Sequence, residues 1–184
     1  EGCGGQFVLF ELPFDSVDVG AYSLRVSTQR NGVPDTLTVD TEIFWRDMPY
    51  SLNDINVAID AMRHILTKEQ LEVMKDGDEA YERQQFRRYW EERDPTPGTA
   101  YNELMTEYFR RVDQAWLKFR TLYEPDGVTT DRGKVYILFG PPEDTKRVLN
   151  SGEPAVEEWY YPSLSKTFRF VDSQRNGDMR LMEE

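Results

Sequence analysis

Residues that carry most protein chemistry are scarce in this chain. One cysteine, Cys3, and one histidine, His64, occur among its 184 residues. A single thiol closes no internal disulfide, so no redox compartment follows from it. The lone histidine has no cysteine or histidine at ligand spacing, which leaves no metal site to read. Neither a Ser-His-Asp nor a Cys-His arrangement has a local signature either. No run of about 18 apolar residues occurs, so no segment reads as membrane-spanning. Basic stripes are missing as well: 34 acidic residues face 22 basic ones, for a formal charge of −12. Such a balance repels nucleic acid and disfavours an anionic membrane surface. The pairs Arg87-Arg88 and Arg110-Arg111 sit among Glu82, Glu91, Glu92, Glu103 and Glu107 and read as helix-surface ion pairing. Internal repeats, heptads and low-complexity tracts are also lacking. No basic-then-apolar leader opens the chain, and Glu1 is no natural initiator. A processed or excised piece is therefore expected, which leaves room for a signal peptide upstream.

What is plentiful is aromatic. Aromatic residues make up 13% of the chain and hydrophobic ones 39%, enough to bury large faces at few positions. Their periodicity changes along the sequence. From Phe7 to Trp45 it is that of strands: the continuous run Phe7 to Phe10, then Tyr22, Leu24 and Val26, and then Leu37, Val39, Thr41 and Ile43, these last two sets alternating with polar neighbours. Asn31-Gly32 between the second and third runs is the hairpin dipeptide. Three strands with one apolar face are too few to close a sandwich, so residues 1–49 read as the tail of a β-sandwich.

From Ser51 the period becomes helical. Ser51 with Asp54 has capping-box spacing, and Ile55, Ala58, Ile59, Met62, Ile65 and Leu66 form one stripe. Thr67 with Gln70 repeats the capping signal, and Gly77 ends that helix. Further helices are expected over 78–93, stopped by Asp94-Pro95, and over 101–123, closed by Pro125. Strands return after Asp131. Val135 to Phe139, Glu157 to Tyr161, Lys166 to Val171 and Met179 to Met182 are expected to form a small antiparallel sheet, with a turn at Gly140-Pro141-Pro142. The expected class is α+β: N-terminal strands over 1–49, then a second domain over 50–184, helical in 51–125 and sheet in 131–184.

The stretch Thr130-Asp131-Arg132-Gly133 through Gly140-Pro141-Pro142-Glu143 resembles the core signature of the GWxTD domain, a bacterial family whose members often carry a signal peptide. Phe86, Tyr89-Trp90, Arg93-Asp94-Pro95, Asn102 and Arg111-Val112 resemble its helical part, so the likeness runs from about Ser51 to the end. One position departs from the family name: Val128 stands where the tryptophan would, after Gly127. The resemblance implies fold kinship and export to the periplasm or beyond the cell; it implies no reaction.

Asp131 and Arg132 form the sharpest polar cluster. An aspartate after Thr-Thr can accept backbone amides, and an arginine can pair with a carboxylate, so the two read as a clamp between helix and sheet or as a polar ligand site. Arg93, Asp94, Asn102 and Arg111 read as a second set, either a polar network fixing the interhelical turn or an anion pocket. Trp159 and Tyr161 share one strand face, which suits core packing or, if exposed, stacking on a carbohydrate or peptide. His64 reads as a boundary residue of its helix. Gly140-Pro141-Pro142 lacks the amide donors of a phosphate loop, and Asp76-Gly77-Asp78-Glu79 lacks the spacing of a calcium loop. Adjacent carboxylates such as Glu157-Glu158 point to opposite faces of a strand and cannot share one bond. No catalytic set, metal site or cofactor is expected. The reading is a non-enzymatic module of an exported protein contacting a protein or cell-envelope partner. Its alternative is a hydrolase of a polymeric or envelope substrate, with carboxylates brought together only by the fold around Arg93, Asp94, Arg111, Asp131 and Arg132.

Overall fold

The structure, a computed structural model, describes residues 20–30, 33–43, 47–97, 99 and 102–182. The chain divides into two compact units, Glu1–Met48 with Gly98–Tyr101, and Pro49–Pro97 with Asn102–Glu184.

In the first unit, β1 (Gly20–Arg30) and β2 (Val33–Ile43) form an antiparallel ladder with Arg30 opposite Val33. The period-two pattern places Leu24 across from Val39 and Val26 across from Leu37, cross-strand pairs of the kind that stabilise a ladder. The expected strand at Phe7 to Phe10 and the dipeptide Asn31-Gly32 lie outside the described residues.

The second unit holds five helices followed by a four-stranded sheet. They are α1 (Ile55–Ala61), α2 (Lys68–Met74), α3 (Glu79–Glu91), α4 (Glu103–Phe119) and α5 (Asp131–Phe139), then β3 (Asp144–Val148), β4 (Ala155–Tyr161), β5 (Lys166–Asp172) and β6 (Arg180–Leu181). The sheet is an antiparallel meander in chain order. Side chains start each helix. Thr67 and Gln70 make the expected capping box at α2, Asp78 caps α3, and Asn102 caps α4 by accepting from the Met105 amide. At α1 the capping residue is Asp54, which accepts from the Asn56 and Val57 amides, and not Ser51. The proline at 49 starts a 3-10 turn over Tyr50–Asn53, and this turn carries Ser51 away from the helix end.

A larger correction concerns Val135 to Phe139, expected as a strand and found as the second half of α5. An apolar run with no polar face fits a buried strand or a buried helix equally. Its ends decide. Thr130 accepts from the Gly133 amide as N-cap, Asp131 follows in the first turn where the helix dipole favours an anion, and Gly140 closes the helix with φ +81°. Helix α4 also stops short of the expected 101–123: Leu122 lies beyond its last residue, Phe119, and is 98% exposed.

The core runs from helices to sheet. Phe86, Trp90, Tyr108 and Phe109 pack edge-on or tilted between α3 and α4. Phe119, Tyr136, Trp159 and Phe170 carry the contact through α5 into β4 and β5. Phe109 and Phe170 have no exposed surface, and burying a phenylalanine stabilises by about 1.5–3 kcal/mol. Thus α4 is the spine against which the other elements are placed.

Candidate functional site

The signature segment folds into a joint. Thr130 donates its hydroxyl to the Gly127 carbonyl at 2.8 Å while accepting from the Gly133 amide at 3.0 Å. Both glycines are required by contact and not by φ. A Cβ on Gly127 would lie 2.2 Å from the Ala115 carbonyl oxygen, and one on Gly133 would lie 1.9 Å from the Gly127 carbonyl oxygen. The turn therefore sits directly on α4, and α5 directly on the turn. Asp131 reaches across to accept from the Leu181 amide at 2.8 Å, tying the start of α5 to β6. Arg132 pairs with Glu157 on β4 at 3.3 Å, with side chains only 17% and 15% exposed. Glu157 also accepts from the Trp159 indole N–H at 2.6 Å. Asp131 and Arg132 thus bind two different strands, each with a partner from within the chain.

The second expected set does not converge. Arg93 lies over the Tyr89 ring and donates to the Tyr89 carbonyl. Asp94 accepts from the Thr96 amide in an Asx-type turn. Asn102 donates to the Trp90 carbonyl at 2.6 Å, which fastens the end of α3 to the start of α4. Arg111 donates to Glu107 one turn back along α4 and packs its guanidinium beside Gly140, where a Cβ would come within 3.2 Å. Among the described residues no hydrogen bond joins these four groups into one network: Arg93 and Asp94 are engaged at the end of α3, Asn102 at the start of α4, and Arg111 within α4. The aromatic surface proposed at Trp159 and Tyr161 is absent as well. Both side chains are 2% exposed, since their strand face is the one that α4 and α5 cover. Tyr161 donates to the Gly140 carbonyl at 2.8 Å, and burial pushes its phenol up to about 12.

A concave feature of this unit lies elsewhere. A cleft of about 600 Å³ opens between α1 and α4, bounded by the 3-10 turn at Tyr50–Asn53 and by the 126–128 segment. Its apolar wall is Val57, Ala61, Val112, Trp116, Leu117 and Val128. Trp116 and Leu117 are 44% and 59% exposed, so α4 turns one face to the core and the adjacent face to this opening. The polar lining is Asp60, Asp113 and Asp126 against a single Arg63. Asp113 fixes the mouth by accepting from both the Tyr50 and Ser51 amides. Asp126 accepts from the Val128 amide at 3.0 Å, and Asp60 pairs with Lys75 and Arg63. Ser51 is 5% exposed, and its hydroxyl oxygen is buried without a hydrogen-bond partner, as is the Trp90 indole nitrogen on the other side of the core.

His64 braces the same wall. Its Nε2 lies 2.9 Å from the Val128 carbonyl oxygen, which can only accept, so this nitrogen carries the hydrogen. Burial lowers its pKa below the ordinary histidine value, and the hydrogen bond to Val128 works against that shift. Sequence reading passed over the cleft because its lining comes from four separated segments. Of its lining only Ser51, Val112 and Val128 had drawn notice, each for another reason, as had His64 behind Val128. Among the described residues, no cluster of three or more metal-ligating side chains occurs, and no helix is long and apolar enough to cross a membrane.

No curated protein and no solved structure matches the chain. The likeness that begins at about Ser51 by eye extends further toward the N-terminus, through the β1–β2 hairpin. With the GWxTD domain model matching residues 20–180, the chain belongs to the GWxTD domain family.

Proposed function

We propose that the chain is a non-enzymatic binding module of an exported bacterial protein, and that it binds a small apolar molecule in the cleft between α1 and α4. The observation that carries the reading is the cleft itself. Its volume of about 600 Å³ lies in the range of small-molecule sites, about 300–1,000 Å³, and its wall is largely apolar with a few polar groups. A protein partner is recognised through about 800 Å² of surface per side, whereas a concave apolar volume of this size favours a small molecule as occupant. The hydrolase alternative is weaker on the same geometry. Asp60, Asp113 and Asp126 are each engaged by a backbone amide or a cation. The five charged residues named for that chemistry are dispersed among separate structural contacts.

Titration with the neutral probe 3-phenylpropan-1-ol, followed by amide and indole chemical shifts, tests the binding role. Saturable shifts at Val57, Trp116 and Val128, lost in Val57→Asp, are expected. Shifts scattered over the surface, or none, refute it. Export follows from what family kinship implies and is tested by cell fractionation; recovery of the native protein in the cytosol refutes that half.

A further inference from the structure

We infer that the cleft selects an aromatic ring, seated against Trp116, over a saturated body of similar shape. This deepens the binding reading given above and rests on it. The first observation is how this unit treats its tryptophans. Trp90 and Trp159 are buried, and each is packed among other rings of the core. Trp116 instead lines the cleft, half-exposed, and meets no second ring among the described residues. Tyr50, exposed on the 3-10 turn that bounds the same cleft, meets none either.

Arg120 supplies the second observation. Its guanidinium stands 5.3 Å from the centre of the Trp116 ring, drawn there by the negative face of the indole. This contact restrains the side chain, so the platform is set before a ligand arrives. An aromatic ligand offers an indole face the positive edge of its own quadrupole, and a saturated ring has no such charge distribution to offer. The third observation is the stiffness of the remaining wall. Val57 and Val112, both on helices, have one strongly preferred rotamer each, and Ala61 has none to choose. A slot of fixed shape suits a rigid, flat body, which surrenders few rotamers on binding. The three aspartates of the lining are engaged within the chain and take no part in this selectivity.

The test compares 3-phenylpropan-1-ol with 3-cyclohexylpropan-1-ol, titrated into the full chain by calorimetry and by chemical shifts. The cyclohexyl group buries at least as much apolar surface, so burial alone favours it or leaves the two equal. The phenyl alcohol is expected to bind about fivefold more tightly, the scale of one ring pair beyond its buried area, and to move the Trp116 indole protons by its ring current. A cyclohexyl alcohol that binds as tightly or more tightly overturns the ring selectivity while leaving the binding reading intact; failure of both alcohols to bind overturns both.

Two variants place the ring. Trp116→Leu keeps an apolar wall and is expected to bring the two alcohols to equal affinity. Trp116→Phe keeps a ring and is expected to retain the phenyl preference. A full preference surviving in Trp116→Leu, or lost in Trp116→Phe as completely as in the leucine variant, refutes the placement on Trp116. If the leucine variant fails to fold, the parent protein decides: nuclear Overhauser contacts between the phenyl protons and the Trp116 indole support the placement, and their absence at saturation refutes it.

Discussion

Replacing Gly133 by alanine should destabilise this protein even though Gly133 sits inside a helix, where alanine ordinarily helps. The added Cβ would lie 1.9 Å from the Gly127 carbonyl oxygen and 3.0 Å from both the Gly127 carbonyl carbon and the Thr130 hydroxyl. These neighbours are mainly backbone, and the backbone here is itself pressed on α4, so no side chain can swing aside. Overpacking of this kind costs about 1–3 kcal/mol, and a backbone contact belongs at the upper end, about 3 kcal/mol. The change from glycine to alanine in a helix returns about 1 kcal/mol. The net expectation is a loss of about 2 kcal/mol, which for a chain of this size lowers the melting temperature by roughly 4–8 °C. Urea and thermal unfolding followed by far-UV circular dichroism read it directly. Lys134→Ala, one residue along on the exposed side of α5, is the control and should stay within about 0.5 kcal/mol of the parent. A Gly133→Ala chain as stable as the parent, or more so, refutes the close approach of α5 to the 127–130 turn.

Two further outcomes follow from the same region. Glu157→Ala removes the partner of both Arg132 and the Trp159 indole N–H and should cost about 3 kcal/mol. Glu157→Gln, which keeps an acceptor for the indole, should cost less, and equal losses would show that the indole bond contributes nothing. Acidification should weaken the fold through His64. Its pKa is lowered in the folded protein by burial, so the unfolded chain binds the proton more readily. The stabilisation from the neutral ring is present above the unfolded value of about 6.5 and is lost as pH falls through the lower folded value. Denaturation at pH 7.5 and 5.5 should show a fall that is smaller in His64→Gln, which can still donate to the Val128 carbonyl; an identical fall in both proteins counts against His64 as the sensor.

Elements whose signal is local were legible from the residues. The β1–β2 ladder follows from alternation around Asn31-Gly32, and the start of α2 follows from Thr67 with Gln70, whereas Asn102, the cap of α4, was expected within a helix starting at 101. Helix α5 was misread because Val135 to Phe139 offers no polar face to give a period. The deciding signals were a single threonine cap and a glycine after the run, and these were read instead as a loop and a turn. The joint at Asp131 and Arg132 was legible as a clamp by residue type, but its partners Leu181 and Glu157 lie 50 and 25 residues away and follow from no spacing rule. The cleft was illegible altogether. A concavity arises where helices fail to fill space between them, and no stretch of sequence carries that signal.

The backbone of residue 128 is held at both ends. Its amide is bound by Asp126 and its carbonyl by His64, and neither bond involves its side chain. Neither bond depends on what projects from that position, whose valine side chain is packed and only 7% exposed. A lineage can exchange a large side chain for a small one here and change what the cleft admits without reworking the helices around it. The fold offers a fixed socket with an interchangeable plug, which makes residue 128 a natural point for relatives to diverge in what they bind while keeping one architecture.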